Sequence, residues 1–153
     1  MLHKKNAFTM VELIFVIVIL GILAAVGIPK LAATRDDAYT VKLANNIMMG
    51  AGEIASYAMG KALVDTDLTV MSNAMTSLSA TGDAVLSNSK AVIKYGNVLD
   101  CVSVSIDSNA TTGVDTLNIT FGNPGSDFRC VALQGAIDEN EYPMKLRGRS
   151  AKF

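Results

Sequence analysis

Residues 8–28 read FTMVELIFVIVILGILAAVGI, an almost wholly apolar run whose single charged side chain is Glu12. A helix of this length rises about 31 Å, which is enough to cross the hydrocarbon core of a bilayer. A carboxylate inside a spanning helix costs roughly 2.5–3.5 kcal/mol on insertion scales and normally marks a partner. We therefore expect a membrane anchor whose acid pairs with another group.

The segment in front of this run, residues 1–7, is short and basic and reads MLHKKNA. Lys4 and Lys5 favour a cytoplasmic N-terminus, which predicts that the rest of the chain lies outside the cytoplasmic membrane. Two other interpretations stay open. A secretory signal peptide would be removed near Ala24 and Ala25, leaving a soluble periplasmic protein, and an uncleaved run would anchor an enzyme or a sensor.

The sequence from Ala7 to Pro29, AFTMVELIFVIVILGILAAVGIP, resembles the N-terminal signal and helix of type IV pilins and of the pseudopilins of type II secretion systems. The resemblance implies that prepilin peptidase cleaves between Ala7 and Phe8 and methylates the new amine of Phe8. In one respect the chain departs from the family, which usually has Gly before the cut where this chain has Ala7.

Thr9 and Glu12 fall on matching positions of the family pattern. In a helical assembly, the Glu12 carboxylate of one subunit can pair with the Phe8 amine of its neighbour, which offsets the burial of both charges and fixes the register between subunits. The alternative is that Glu12 extends to the lipid headgroups at the cytoplasmic edge of the membrane.

Pro29 follows the apolar run and is expected to kink or locally open the helix. The resemblance implies that the helix between Gly21 and Pro29 loses its regular structure when subunits polymerise. Beyond the proline, apolar and small residues recur at spacings of three and four, which predicts an amphipathic helix over residues 29–60. These residues are Val41, Ala44, Ile47, Met48, Ala51, Ile54, Ala55 and Ala58.

Residues 61–153 are expected to form a globular head. Residues 67–80 repeat a helical pattern, and residues 81–89 are typical of a polar connection. Strand-like runs separated by turn-rich stretches predict strands at 91–95, 101–107, 116–121 and 128–133. The pattern predicts an α+β fold in which a long helix, transmembrane over 8–28 and amphipathic over 29–60, packs on a small antiparallel sheet. The pilin resemblance implies the same arrangement.

The two cysteines, Cys101 and Cys130, both lie in the C-terminal third. In an exported domain they predict a disulfide that closes a loop of about thirty residues and stabilises the fold by roughly 3–4 kcal/mol. A pair of buried free thiols in a cytosolic domain is the alternative.

The residue inventory argues against an enzyme. The one histidine, His3, lies in the predicted leader, so the mature chain has no histidine for nucleophilic catalysis or for a zinc site. We expect no cofactor, although the polar loops at 107–115 and 125–127 have oxygen ligands that could bind calcium.

A short motif at residues 107–111, Asp-Ser-Asn-Ala-Thr, resembles the acidic-X-Asn-X-Ser/Thr acceptor of bacterial N-glycosylation. Asn109 would be the modified residue. The alternative is a plain exposed loop.

Charge is unevenly spread along the chain. Residues 31–144 hold thirteen acidic and six basic residues, a net charge of −7, which argues against nucleic acid as the main partner. Residues 145–153 hold four basic residues and no acid. This tail could contact DNA or an acidic subunit surface, but a solvated terminus is the simpler expectation.

The family resemblance implies a non-enzymatic subunit of a helical filament, made in the bacterial inner membrane with its head in the periplasm. Implied partners are further copies of the chain, prepilin peptidase, an inner-membrane assembly platform with its cytoplasmic ATPase, and other minor pilins or pseudopilins. A pseudopilin of a type II secretion or DNA-uptake system, forming a periplasmic filament, is the first expectation. A subunit of a surface type IV pilus is the second.

Overall fold

The computed structural model of the chain describes residues 8–109 and 113–147. The chain divides into two compact units, Met1–Ala38 and Tyr39–Phe153. Helix α1, Met10–Lys61, is 52 residues long and belongs to both units. One long helix that leads from the apolar run into the head is therefore present.

The first unit, as far as it is described, consists of the N-terminal part of α1. The helix continues through Pro29, which has no N–H to donate to the preceding turn. Shortly after it, the hydroxyl of Thr34 donates to the carbonyl oxygen of Lys30 at 2.8 Å. Because α1 runs on to Lys61, the proline lies inside the helix and does not end it.

The second unit is the α+β head. In chain order it contains the remainder of α1, then α2 (Leu68–Met71), α3 (Asn73–Ala80), β1 (Ala84–Ser87), β2 (Lys90–Tyr95), β3 (Val98–Asn109), β4 (Val114–Phe121), α4 (Phe128–Gly135), a short 3-10 helix (Glu139–Glu141) and β5 (Met144–Arg147). The described strands form one antiparallel sheet in the order β1-β2-β3-β4-β5. Each strand therefore pairs with its neighbours in sequence, and the two outer strands are only four residues long.

The core of the head lies where α1 contacts the sheet. Small and aliphatic side chains of α1 are buried together with alternate side chains of the central strands, largely at the predicted helical spacing. From α1 these are Leu43, Ala44, Ile47, Ala51, Ile54, Ala55 and Ala58, and from the strands Ile93, Val102, Val104 and Leu117. Val41, which was predicted on this face, is 56 % exposed, and Leu43 is buried instead. The predicted fold class, a long helix on a small antiparallel sheet, is confirmed.

The prediction of a strand at 128–133 is wrong, because these residues form α4. The Asp127 side chain accepts a hydrogen bond from the backbone N–H of Arg129 at 3.0 Å and so caps the helix. Cys130 and Leu133 are both fully buried, and their spacing of three places them on one helical face.

Residues 81–89 contain more than a connection. Strand β1 pairs with β2 through a tight turn at Asn88, whose φ of 47° is in the left-handed region. Asn tolerates this conformation better than most residues. The tail also contributes an element, since β5 pairs with β4 at Thr116 and Lys145. Residues 148–153 of the basic tail lie outside the described residues.

The predicted helix over 67–80 is interrupted at Ser72. This residue has an extended backbone, with φ −144° and ψ 120°, and its hydroxyl accepts the N–H of Met75 at 3.1 Å. A serine that caps the following helix ends the previous one, which divides the segment into α2 and α3.

Candidate processing and assembly site

The start of α1 is stabilised by a reciprocal pair of contacts between Thr9 and Glu12. The backbone N–H and the hydroxyl of Thr9 each donate to the Glu12 carboxylate at 2.9 Å. In return the Thr9 hydroxyl oxygen accepts the backbone N–H of Glu12 at 3.3 Å. This is a capping box, which satisfies backbone donors that every helix start leaves open.

The capping box was not part of the sequence interpretation, although its signal is present. Thr9-Met10-Val11-Glu12 directly before an apolar run has the Ser/Thr-x-x-Glu form of such a box. Glu12 therefore has partners within its own subunit, which its interpretation as a stranded acid did not include.

The predicted cleavage site lies just ahead of this helix start. Phe8 precedes the helix, and 82 % of its surface is exposed. Ala7, on the other side of the predicted cut, and the leader as a whole lie outside the described residues. In the structure Phe8 and Glu12 are thus brought to the same end of α1.

The segment that follows exposes a continuous apolar surface. From Met10 to Leu31 the large aliphatic and aromatic side chains are 40 % or more exposed. Within the described residues, α1 is the one helix long and apolar enough to cross a membrane. Gly21 lies in this segment, and a Cβ built there would meet no atom within 4 Å. An apolar surface of this extent has to be covered by lipid or by other protein.

Comparison with known proteins gives two findings. Residues 2–28 match the family model of the prokaryotic N-terminal methylation motif. The chain is also similar to a type IV major alpha-pilin of Moraxella bovis, with 26 % identity over 98 % of this chain and 91 % of that protein. No solved structure gives a significant match.

These two findings support a type IV pilin-family protein. The pilin family implies subunits that form filaments and a prepilin peptidase that processes them. It is consistent with a structural role, and the exposed apolar helix fits membrane anchoring.

In the head, Cys101 and Cys130 are joined by a disulfide across a separation of 29 residues. The bond ties β3 to α4, whereas the sequence interpretation had it joining two strands. Next to it, the Gln134 side chain donates to the carbonyl oxygens of Cys101 and Gly122 at 2.8 and 2.9 Å. Gln134 therefore holds α4 to β3 and to the residue that follows β4.

Asn109, the predicted glycosylation site, is exposed at the last position of β3. Thr111, which the motif also needs, lies outside the described residues. The acid of the motif, Asp107, accepts a hydrogen bond from the side-chain amide of Asn118 on the neighbouring strand. Modification of Asn109 stays a prediction.

The two loops considered for calcium are described only in part, because residues 110–112 lie outside the described ranges. Among the described residues, no group of three or more His, Cys, Asp or Glu side chains could hold an ion. Asp127 is already used, because its two oxygens accept the N–H groups of Asn97 and Arg129. These hydrogen bonds, that of Asn97 first, hold the pKa of Asp127 below its ordinary value.

A groove of about 730 Å³ lies between α1 and the α2–α3 segment, and sequence reasoning missed it. Its one carboxylate, Glu53, accepts the hydroxyl of Ser72 at 2.7 Å and the backbone N–H of Ala74 at 3.0 Å. The hydrogen bond from Ala74 is the main cause that holds the pKa of Glu53 below its ordinary value. The carboxylate therefore fastens α3 to α1 and has no second acid beside it in the groove lining for acid–base catalysis.

Proposed function

We propose that the protein is a structural, non-enzymatic subunit of a type IV filament, cut between Ala7 and Phe8 and methylated on the Phe8 amine. One observation carries the proposal. The methylation motif at residues 2–28 coincides with the start of a helix whose apolar surface is exposed and whose single acid lies one turn from the predicted new terminus.

The chemistry of assembly follows from the two groups at this helix start. Hydrolysis of the Ala7–Phe8 bond frees an amine that is protonated near neutral pH. The amine stays basic after it is methylated. When the apolar helices bundle, this cation and the Glu12 carboxylate of an adjacent subunit lose water together. Pairing offsets that loss, and it sets the axial register because only one stagger brings the two charges together.

The capping box gives the Glu12 carboxylate hydrogen-bond partners before assembly. In a single subunit its charge is held by Thr9, so the acid enters the membrane with hydrogen-bond donors already in place. Assembly then adds the neighbour's amine to a carboxylate whose position is fixed by its own helix.

Before assembly, the subunit is a single-pass protein of the bacterial inner membrane. Lys4 and Lys5 hold the N-terminus in the cytoplasm, which leaves the head in the periplasm. An inner-membrane platform, its cytoplasmic ATPase and minor pilins or pseudopilins complete the machine, by analogy with the family.

Among filament types, a surface pilus is our first assignment. Its support is the likeness to a major alpha-pilin across nearly the full length of both chains. A pseudopilin of a type II secretion or DNA-uptake system, the first expectation from sequence, is the competing assignment and predicts a filament confined to the periplasm.

Mass spectrometry of the protein purified from its own membranes tests the processing step. We expect a chain that begins at Phe8 and carries one methyl group on its N-terminal amine. A chain that begins near Val26 would identify a secreted periplasmic protein, and an intact Met1 would identify a plain anchor. Either result contradicts the proposal.

Electron microscopy of cells that overproduce the protein separates the filament types. External fibres that label with an antibody to the head support the pilus. A processed chain with fibres confined to the periplasm supports the pseudopilin.

Two variants of Glu12 separate its charge from its capping role. Glu12→Ala loses both roles, whereas Glu12→Gln keeps an oxygen that can accept from Thr9 and loses only the charge. We expect both variants to insert into the membrane at normal levels and both to lower filament yield by roughly tenfold or more, because the pairing of buried charges is lost. Normal filaments from Glu12→Gln would refute the charge pairing.

A further inference from the structure

The part of α1 inside the head contacts the sheet through two different kinds of side chain. From Leu43 to Ala58 the buried face of the helix is aliphatic. The first two residues of the head, Tyr39 and Thr40, instead present hydroxyl groups, and Thr40 is only 7 % exposed. A change from apolar to hydrogen-bonded contact at the first turn of a buried helix needs a physical reason.

Tyr39 is attached to an acceptor that the fold holds in place. Its hydroxyl donates to Oδ1 of Asp83 at 2.6 Å, and Oδ2 of the same carboxylate accepts the hydroxyl of Thr81 at 2.6 Å. The backbone of Asp83 is bonded as well, since its N–H donates to Leu78 at 3.0 Å and its carbonyl accepts from Lys94 at 2.8 Å. Asp83 thus connects Tyr39 to both α3 and β2.

Thr40 makes the second attachment. Its hydroxyl lies 2.8 Å from that of Tyr95, the last residue of β2, in a buried hydrogen bond. The rings of Tyr39 and Tyr95 are also in contact, with centroids 5.7 Å apart. Helix, loop and strand therefore meet at two adjacent residues of α1.

The position of these contacts along the helix gives them their consequence. The compact unit of the head begins at Tyr39. Before it, the described large apolar side chains of α1 are exposed, and the helix contains Pro29. A helix loses its hydrogen bonds from a weak point outward, so opening that begins near Pro29 reaches Tyr39 and Thr40 before it reaches the core.

We propose that Tyr39, Thr40, Asp83 and Tyr95 form a stop, here named the Tyr39 clamp, which confines unwinding of α1 to residues before Tyr39 and keeps the head folded when the preceding helix opens. The clamp needs no second subunit. It therefore stands or falls independently of the proposed filament function.

Hydrogen exchange followed by mass spectrometry on the full chain in detergent micelles tests the clamp. In the wild-type protein we expect amides at 34–38 to exchange at least tenfold faster than amides at 41–47. In the double variant Tyr39→Phe, Thr40→Val, which keeps the shapes and removes the hydroxyls, exchange at 41–47 should rise at least tenfold. Strands β2–β4 should keep their protection.

Tyr57→Phe is the matched control, since Tyr57 is another half-buried tyrosine of α1 and lies in the groove beside Glu53. It should leave exchange at 41–47 unchanged. If the double variant does not fold, Tyr39→Phe alone, which lacks one oxygen atom, takes its place. Three results would overturn the clamp. The first is an unchanged exchange rate at 41–47 in the double variant, and the second is a wild-type protein whose amides at 34–38 and 41–47 exchange equally fast. The third is a Tyr39→Phe variant in which exchange rises across the whole sheet.

Discussion

Single carboxylates organise this molecule by satisfying backbone N–H groups that would otherwise lack partners. Glu12 does so for the start of α1, Asp127 for α4 and for the turn at Asn97, and Glu53 for the start of α3. Hydrogen bonds to a charged acceptor are shorter and stronger than those between neutral groups. Three short side chains thus fix the ends of three helices.

Glu53 allows a test of this effect in the head. Its pKa is lowered in the folded state, so the stabilisation is present above the ordinary glutamate pKa of about 4.3 and is lost as the pH falls through the lowered value. We expect Glu53→Gln to lower the free energy of unfolding by about 1–2 kcal/mol at pH 7, and by much less at pH 3. Urea titrations at the two pH values measure the difference.

The control for that experiment is Glu139→Gln, in an exposed carboxylate of the 3-10 helix. It should shift neither titration. An equal loss of stability at both pH values for Glu53→Gln would mean that the shape of the side chain matters and its charge does not.

At the scale of elements, the sequence indicated the long helix and the central strands because their patterns are long and their burial is one-sided. Burial alternates along most of strand β4, and α1 keeps one apolar face through the head. The prediction of short elements failed for a physical reason. Residues 128–133 hold too few turns to show a period, and the deciding signal was the cap at Asp127.

The candidate site divides in the same way. The positions of Phe8 and Glu12 follow from the motif, whereas the partner of Glu12 in the single subunit depends on the geometry of the first helical turn. The Tyr39 clamp joins residues 44 and 55 positions apart, so no local pattern could indicate it.

The disulfide is the element-scale feature with the largest expected effect on stability. By closing a loop of about thirty residues it should contribute roughly 3–4 kcal/mol through the unfolded state. We expect the double variant Cys101→Ser, Cys130→Ser to lose that amount in a denaturant titration, with the largest rise in hydrogen exchange in α4. A loss of stability below about 1 kcal/mol would show that the disulfide does not stabilise the fold by restricting the unfolded chain.

At the scale of the whole molecule, the two units differ in what surrounds their apolar side chains. The head buries a core of aliphatic side chains, while the first unit exposes its large apolar side chains along α1. The two units therefore need different surroundings. The head can be surrounded by water, whereas the apolar surface of the first unit needs lipid or neighbouring helices around it.

A fragment comprising residues 30–153 tests this division. Because the hydrophobic core of the head begins at Leu43, we expect the fragment to be soluble and monomeric and to unfold in one cooperative transition. Size-exclusion chromatography and thermal circular dichroism measure these properties. A fragment that aggregates or melts without cooperativity would show that the first unit contributes to the fold of the head.

The short outer strands β1 and β5 restrict how copies of the molecule can adhere. Within the described residues, β1 and β5 each offer a neighbouring copy only four residues for a ladder of backbone hydrogen bonds. We therefore expect the exposed apolar side chains of α1 to supply most of the cohesion in a polymer of this chain. Detergent that solvates those side chains should then release subunits whose heads stay folded.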